Sequence, residues 1–310
     1  MGSITLTHHQ PSSKTTDHPD HLVDNPPPFY WRINAPPHHP SRTSPFCPPF
    51  LLLKTTTSSS SSSSSNNLPS PQCLSPKDFS TIITPNHLYK RDTWPQVRRR
   101  VQENKLAEFQ RTPADMWRYL EFCWQIKEKY KEGGGGGIKE FILKERLKWG
   151  VPGDGGGEVV AARGMRFAED TKEGENGEKE GDVKILWNDW PYGVDEKIVH
   201  LVVWTKFALE DDPQTGDLTE EARAEIDEFV KKKFQVGGRM AGEHIIWFKN
   251  WAHIKSVKAV EHFHVMLFDP DPEFVREITK GDVPLGIIHT DELTTNENRP
   301  GTFSTTEQTS

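Results

Sequence analysis

The ten residues KIVHLVVWTK, Lys197 to Lys206, are almost continuously apolar and β-branched. That composition fits a strand buried on both faces, and such a strand needs a layer of structure over each side of its sheet. Shorter apolar runs that read as further strands are Val183 to Trp187, His244 to Phe248 and Val257 to Phe268. Between them Ile226, Phe229, Val230 and Phe234 recur at helical spacing after the start signal Asp217-Leu218-Thr219. Asp271-Pro272-Glu273 opens a last short helix. Three helices are expected ahead of the first strand. One starts at Thr93-Trp94-Pro95, a second at Thr112-Pro113 with Asp115 near a capping-box position, and a third carries Phe141, Ile142 and Leu147. Helices first, then strand, strand, helix, strand, strand, helix, describe an α+β fold: a mainly antiparallel sheet flanked by helices.

The apolar fraction, 34%, is low and unevenly spread. Residues 1–75 are rich in proline and hold a run of eight serines, Ser58 to Ser65. Such a stretch buries too little apolar surface to offset its chain entropy, so it is expected to be a disordered low-complexity tail. Residues 76–284 form the single expected domain, with a mobile Gly/Glu-rich insertion over 150–182 and a loose tail over 285–310. The net charge of −7 argues against a nucleic-acid binder, which would carry a basic face. Three widely spaced cysteines suggest neither a disulfide framework nor a zinc site. No apolar stretch approaches the roughly 20 residues that span a membrane, and no signal peptide is evident. Cytoplasm is the expected location, with nuclear import through Arg98-Arg99-Arg100 the lesser alternative.

Strand alternation makes a definite statement about His262-Phe263-His264. His262, His264, Val260 and Met266 share one face of their strand, the two imidazoles about 7 Å apart. His200, Val202, Trp204 and Lys206 share a face of KIVHLVVWTK, so if the two strands are neighbours the three histidines line one surface. Histidines hydrogen-bonded within a core are the structural alternative. Aromatic and polar residues crowd the same region and supply the candidate ligand contacts. The turn Asn188-Asp189-Trp190-Pro191-Tyr192-Gly193 offers Asn188, Asp189, Trp190 and Tyr192. The WFKNW loop edge offers Lys249, Asn250 and Trp251. Lys255 and Ser256 precede the histidine strand. Indole rings stack on a base or a sugar, and lysines with a hydroxyl suit phosphate. A metal site on His200, His262 and His264 is the least favoured alternative, because no carboxylate lies at a telling spacing on their strand face, and no cofactor is expected.

The motifs NDWPYG, VVWTK, FKNW, KSV and EHFHV, with RTPADMWRYL and FILKERLKWG before them, resemble the fungal N-acetylglucosamine-induced protein family over about 200 residues. The resemblance implies a cytoplasmic protein whose expression responds to an amino sugar, and it supplies no reaction. The order of motifs is also similar to that of histidine-triad nucleotide hydrolases and transferases. That similarity would make His262 the nucleophile, His264 the last histidine of the triad and Ser256 a phosphate contact. Val260 stands where the first histidine belongs, and Ser256 is two residues too far away. The expectation is a binder of a nucleotide, a sugar nucleotide or an amino-sugar phosphate, with no nucleic-acid or membrane partner. A non-catalytic regulatory protein recruiting partners through its Ser/Pro-rich N-terminus, and a histidine-triad-like nucleotidyl hydrolase or transferase, are the alternatives.

Overall fold

The computed structural model describes residues 26–53, 74–130, 137–149, 167, 181–251 and 260–286. Its elements are α1 (Pro76–Ile83), α2 (Trp94–Gln102), α3 (Pro113–Lys129), α4 (Gly137–Phe141), β1 (Val183–Trp187), β2 (Ile198–Thr205), α5 (Glu220–Phe234), β3 (Ile245–Phe248), β4 (Glu261–Phe268) and α6 (Pro272–Ile278). α4 runs directly into a π-helical segment, Ile142–Leu147. The four strands form one antiparallel sheet in the order β1-β2-β4-β3. The α+β reading is borne out. Among the described residues no helix is long and apolar enough to cross a membrane.

Local chemistry starts the helices where the sequence signals them. The Thr112 hydroxyl accepts from the Asp115 N–H at 3.1 Å ahead of α3, with Pro113 at the first helical position. Thr219 does the same for α5 with the Ala222 N–H at 3.2 Å, and Asp271 for α6 with that of Glu273 at 2.9 Å. Helix α1 has the same kind of start, Ser75 followed by Pro76 with Asp78 in the first turn, and was not anticipated.

Both faces of the sheet are covered, as β2 requires. On one face Leu201, Val203, Phe263, Val265 and Leu267 pack under Ile226, Val230 and Phe234 of α5 and Phe274 and Val275 of α6. On the other, Val202 and Trp204 meet Phe122 and Ile126 of α3 and Phe141 and Ile142 at the α4 junction. Ile198 and Met266, at the far end of that face, meet Trp94 and Val97 of α2. Phe263 and Leu201 are fully buried in the middle of the first of these layers.

Part of the expected 1–75 tail is packed on the domain. Residues 26–53 make three 3-10 turns and place Tyr30, Ala35, Phe50 and Leu51 against Phe79 and Ile82 of α1 and Met116 and Trp117 of α3. Prolines at Pro40 and Pro49 sit in those turns, where a fixed φ lowers the entropy lost on folding. Residues 1–25 and 54–73 lie outside the described residues, as does nearly all of the 150–182 insertion. Phe167, within the insertion, packs on Phe207, Phe229 and Phe263. Leu285 and Gly286 of the expected loose C-terminal tail are placed against the β1–β2 turn, with the Leu285 N–H donating to the Asp189 carboxylate at 3.1 Å and that of Gly286 to the Asp189 carbonyl at 3.3 Å.

Candidate functional site: a histidine relay beside an arginine-lined cavity

The register of β2 against β4 sets Trp204 opposite His262, Val202 opposite His264 and His200 opposite Met266. All three histidines therefore fall on the face toward α2–α4, and all are buried, to 1%, 4% and 6% exposure for His200, His262 and His264. The His262 and His264 rings are 5.5 Å apart between centroids, closer than the alternate-residue spacing of a strand because the rings lean together. His264 stacks on Phe248 of β3, with the ring centroids 5.0 Å apart.

A chain of hydrogen bonds runs across this face. The Asn250 amide donates to Nε2 of His264 at 3.1 Å and to the Tyr192 hydroxyl at 3.1 Å. His264 then holds its own proton on Nδ1, which lies 3.0 Å from Nε2 of His200. The Asn188 amide reaches the same His200 nitrogen at 3.2 Å, while its carbonyl oxygen accepts from the Trp190 N–H at 3.0 Å. Burial, and then the positive charge of Arg111, pull the His200 pKa down to about 3, so the ring is neutral at physiological pH. His262 has partners of its own. Its Nδ1 donates to the Val260 carbonyl at 2.8 Å, and its ring packs 4.6 Å from that of Trp204.

Beside the relay is a cavity of about 80 Å³, lined by His262, His264, Asn188, Asp189, Trp190, Tyr192, Trp204 and Asn250 among the expected residues. Arg111, Tyr119 and Phe122 close it from the helical side. Arg111 precedes the N-cap of α3. Its Nε donates to the Trp190 carbonyl at 3.1 Å, and its guanidinium lies 3.7 Å over the Tyr119 ring. Arg100 pairs with Asp92 at 3.0 Å and Arg146 with Asp282 at 2.9 Å, but no carboxylate among the described residues pairs with Arg111. Next to an N-cap threonine, Arg111 looks in sequence like an ordinary solvated side chain. Only the fold brings it to the histidines.

The cavity wall is held by a buried ionic clamp. Arg146, in the π-helical segment, grips Asp189 through Nε and Nη2 and Asp282 through Nη1 and Nη2, all near 2.9 Å. Asp282 also accepts from the Trp187 N–H at 2.9 Å. Burial is the largest influence on Asp189 and pushes its carboxyl up to about 6, against Arg146, which draws it down. Gly193, which ends the turn, leaves no room for a side chain: a Cβ there would lie 2.5 Å from the Tyr89 ring.

The other expected contacts lie elsewhere. Lys249 is buried but pairs with Asp211 and, at 3.6 Å, Glu261, because it follows Phe248 and so points to the opposite side of β3. Lys206, past the end of β2, sits with its ammonium 5.2 Å from the Trp149 ring centre. Trp251 is half-buried and outside the cavity wall. Lys255 and Ser256 lie outside the described residues.

Comparison with known proteins places this architecture. The family described as protein of unknown function (DUF3605) matches residues 93–268. N-acetylglucosamine-induced protein 1 of Candida albicans is 26% identical over 191 residues, covering 61% of this chain and 73% of the relative. An uncharacterised protein of Saccharomyces cerevisiae is 25% identical over 194 residues, covering 61% and 85%. A crystal structure of a protein named HTC1 covers 66% of this chain and 96% of its own at 23% identity, with a TM-score of 0.43. The matched span holds β1 to β4, the three histidines and Arg111, so the resemblance carried by NDWPYG and EHFHV is borne out: the chain belongs to the DUF3605 family, whose function is unknown.

Proposed function

We propose that this is a cytoplasmic binding protein for a small phosphorylated metabolite, held in the cavity with Arg111 contacting the anion. The observation that carries the reading is the Arg111 guanidinium, oriented by Trp190 and Tyr119 and paired with no carboxylate among the described residues. Guanidinium groups match phosphate geometry with two parallel donors. The neutral His200 ring and two asparagines add polar contacts without competing charge.

Size chooses among the candidate ligands. A cavity of about 80 Å³ is smaller than the roughly 150 Å³ that encloses benzene and far below the roughly 300–1,000 Å³ of pockets that engulf drug-sized molecules. It suits a phosphoryl group with part of one sugar better than an enclosed nucleotide. The name of the Candida relative speaks of induction by N-acetylglucosamine, which makes amino-sugar phosphates the first probes. A ligand present at about 100 times its Kd stabilises the folded state by about 2.7 kcal/mol, and for a domain of this size that raises Tm by roughly 5–10 °C. The full chain is expected to show such a shift with hexosamine phosphates, and Arg111→Ala to lose most of it. An undiminished shift in Arg111→Ala would refute the assigned anchor.

One contact favours a second, catalytic reading. With its proton held on Nδ1 by the Val260 carbonyl, His262 carries its lone pair on Nε2. Nε2 could attack a phosphorus atom, forming an N–P bond while the P–O bond to the leaving group breaks and that oxygen takes a proton from water. Water would then cleave the N–P bond. This reading expects an acid-labile phosphohistidine at His262 in a quenched reaction. Turnover that survives in His262→Ala removes it.

A further inference from the structure

The cavity wall carries two charges of opposite sign, and the pairing around each is unequal. Arg111 is a guanidinium without a carboxylate partner among the described residues. Asp189, which lines the same cavity, belongs to a cluster in which one arginine serves two carboxylates, with Arg146 bound to both Asp189 and Asp282. The cluster holds one positive and two negative charges, so it keeps an excess of one negative charge. The side chains of all three members are only 11–13% exposed, so solvent screens that excess weakly. A second observation has the same sense. The side-chain oxygen of Asn250, 5% exposed as a residue and also in the cavity wall, is a buried acceptor with no hydrogen-bond donor among the described residues. Both features call for a donor-rich cation, while Arg111 calls for an anion.

We propose that the cavity selects a zwitterion: a hexosamine phosphate with a free amine, lying across the cavity with part of its sugar outside, its phosphoryl group at Arg111 and its ammonium on the side of Asp189 and Asn250. This rests on the binding function proposed above and deepens it. Acylation of the amine removes the positive charge and two of its three donors, leaving the excess negative charge and the Asn250 oxygen facing a neutral, bulkier group. A hydroxyl in place of the amine keeps the size but loses the charge.

Titration calorimetry on the full chain at pH 7.5 or below, where the amine is substantially protonated, tests the proposal with three probes: glucosamine 6-phosphate, N-acetylglucosamine 6-phosphate and glucose 6-phosphate. Glucosamine 6-phosphate is expected to bind at least tenfold more tightly than either of the others. In Asp282→Asn, which removes the excess charge without altering a residue of the cavity wall, the ratio is expected to fall to within about threefold. The wild-type ratio decides the matter even if that variant does not fold. Equal affinities for the three probes, or a preference for the acetylated one, overturn this inference and leave the binding reading in place. A preference that persists undiminished in a folded Asp282→Asn protein overturns the role of the cluster. Binding of none of the three overturns both readings together.

Discussion

A chain that begins at residue 54 is expected to be less stable than the full protein and to self-associate. Tyr30, Phe50 and Leu51 are 6%, 6% and 0% exposed, and each full-sized apolar side chain contributes about 1.5–3 kcal/mol on burial. The conformational entropy of residues 26–53 opposes that gain, less so where proline already fixes φ. The decisive loss is on the other side of the contact. Truncation uncovers Phe79, Ile82 and Trp117, all at 0% exposure in the full chain, as one apolar patch across α1 and α3. Patches of that kind are association sites. Leu51→Ala gives the same result in miniature, about 2–5 kcal/mol of destabilisation. Urea midpoints and light scattering read both effects. A truncated chain that is monomeric, with an unchanged midpoint, would show that residues 26–53 lie on the domain without supporting it.

That segment also shows where reading the sequence stops. Averaged over residues 1–75 the composition is that of a disordered chain, and Tyr30, Phe50 and Leu51 are too few and too widely separated to produce a period. Their partners, Phe79 and Trp117, are about 30 to 90 positions away, and nothing local announces the contact. The sheet was legible because strand burial is written locally: alternation placed His262 and His264 on one face, and the unbroken apolar run of β2 placed that strand in the interior. Alternation could not supply the register. The 3.0 Å contact between His200 and His264 exists because Val202, not His200, stands opposite His264 and the rings lean along the strands. The same limit misplaced Lys249, whose residue type suited phosphate but whose parity sends it to Asp211. It also hid Arg111, whose role depends on where α3 begins relative to the β1–β2 turn.

Replacement of Arg146 by alanine is expected to destabilise the protein by about 3–5 kcal/mol, because it strands two buried carboxylates that, among the described residues, the arginine alone neutralises. The clamp joins the π-helical segment, the β1–β2 turn and the chain after α6, so the same change should loosen the Asn188-Asp189-Trp190 wall of the cavity. Acidity separates the electrostatic cause from lost packing. In the wild type, burial holds the Asp189 carboxyl at about 6, above its ordinary value of 3.8. A raised carboxyl binds its proton more readily in the folded than in the unfolded chain. Its contribution to stability is therefore full below about 3.8 and declines as pH rises through about 6. Without Arg146, which draws it down, the Asp189 carboxyl moves higher still, and the window of decline widens upward. The deficit of Arg146→Ala relative to wild type should accordingly shrink as pH falls from 7.5 to 5, where protonation does what the guanidinium did. Arg146→Met, which keeps most of the volume and none of the charge, should follow the same trend. Arg146→Lys should fall between, since one ammonium cannot fork to two carboxylates. A deficit that is constant across this range in both Arg146→Ala and Arg146→Met would mean that the arginine supports the wall through its shape and hydrogen bonds, and that no uncompensated charge lies behind the cavity.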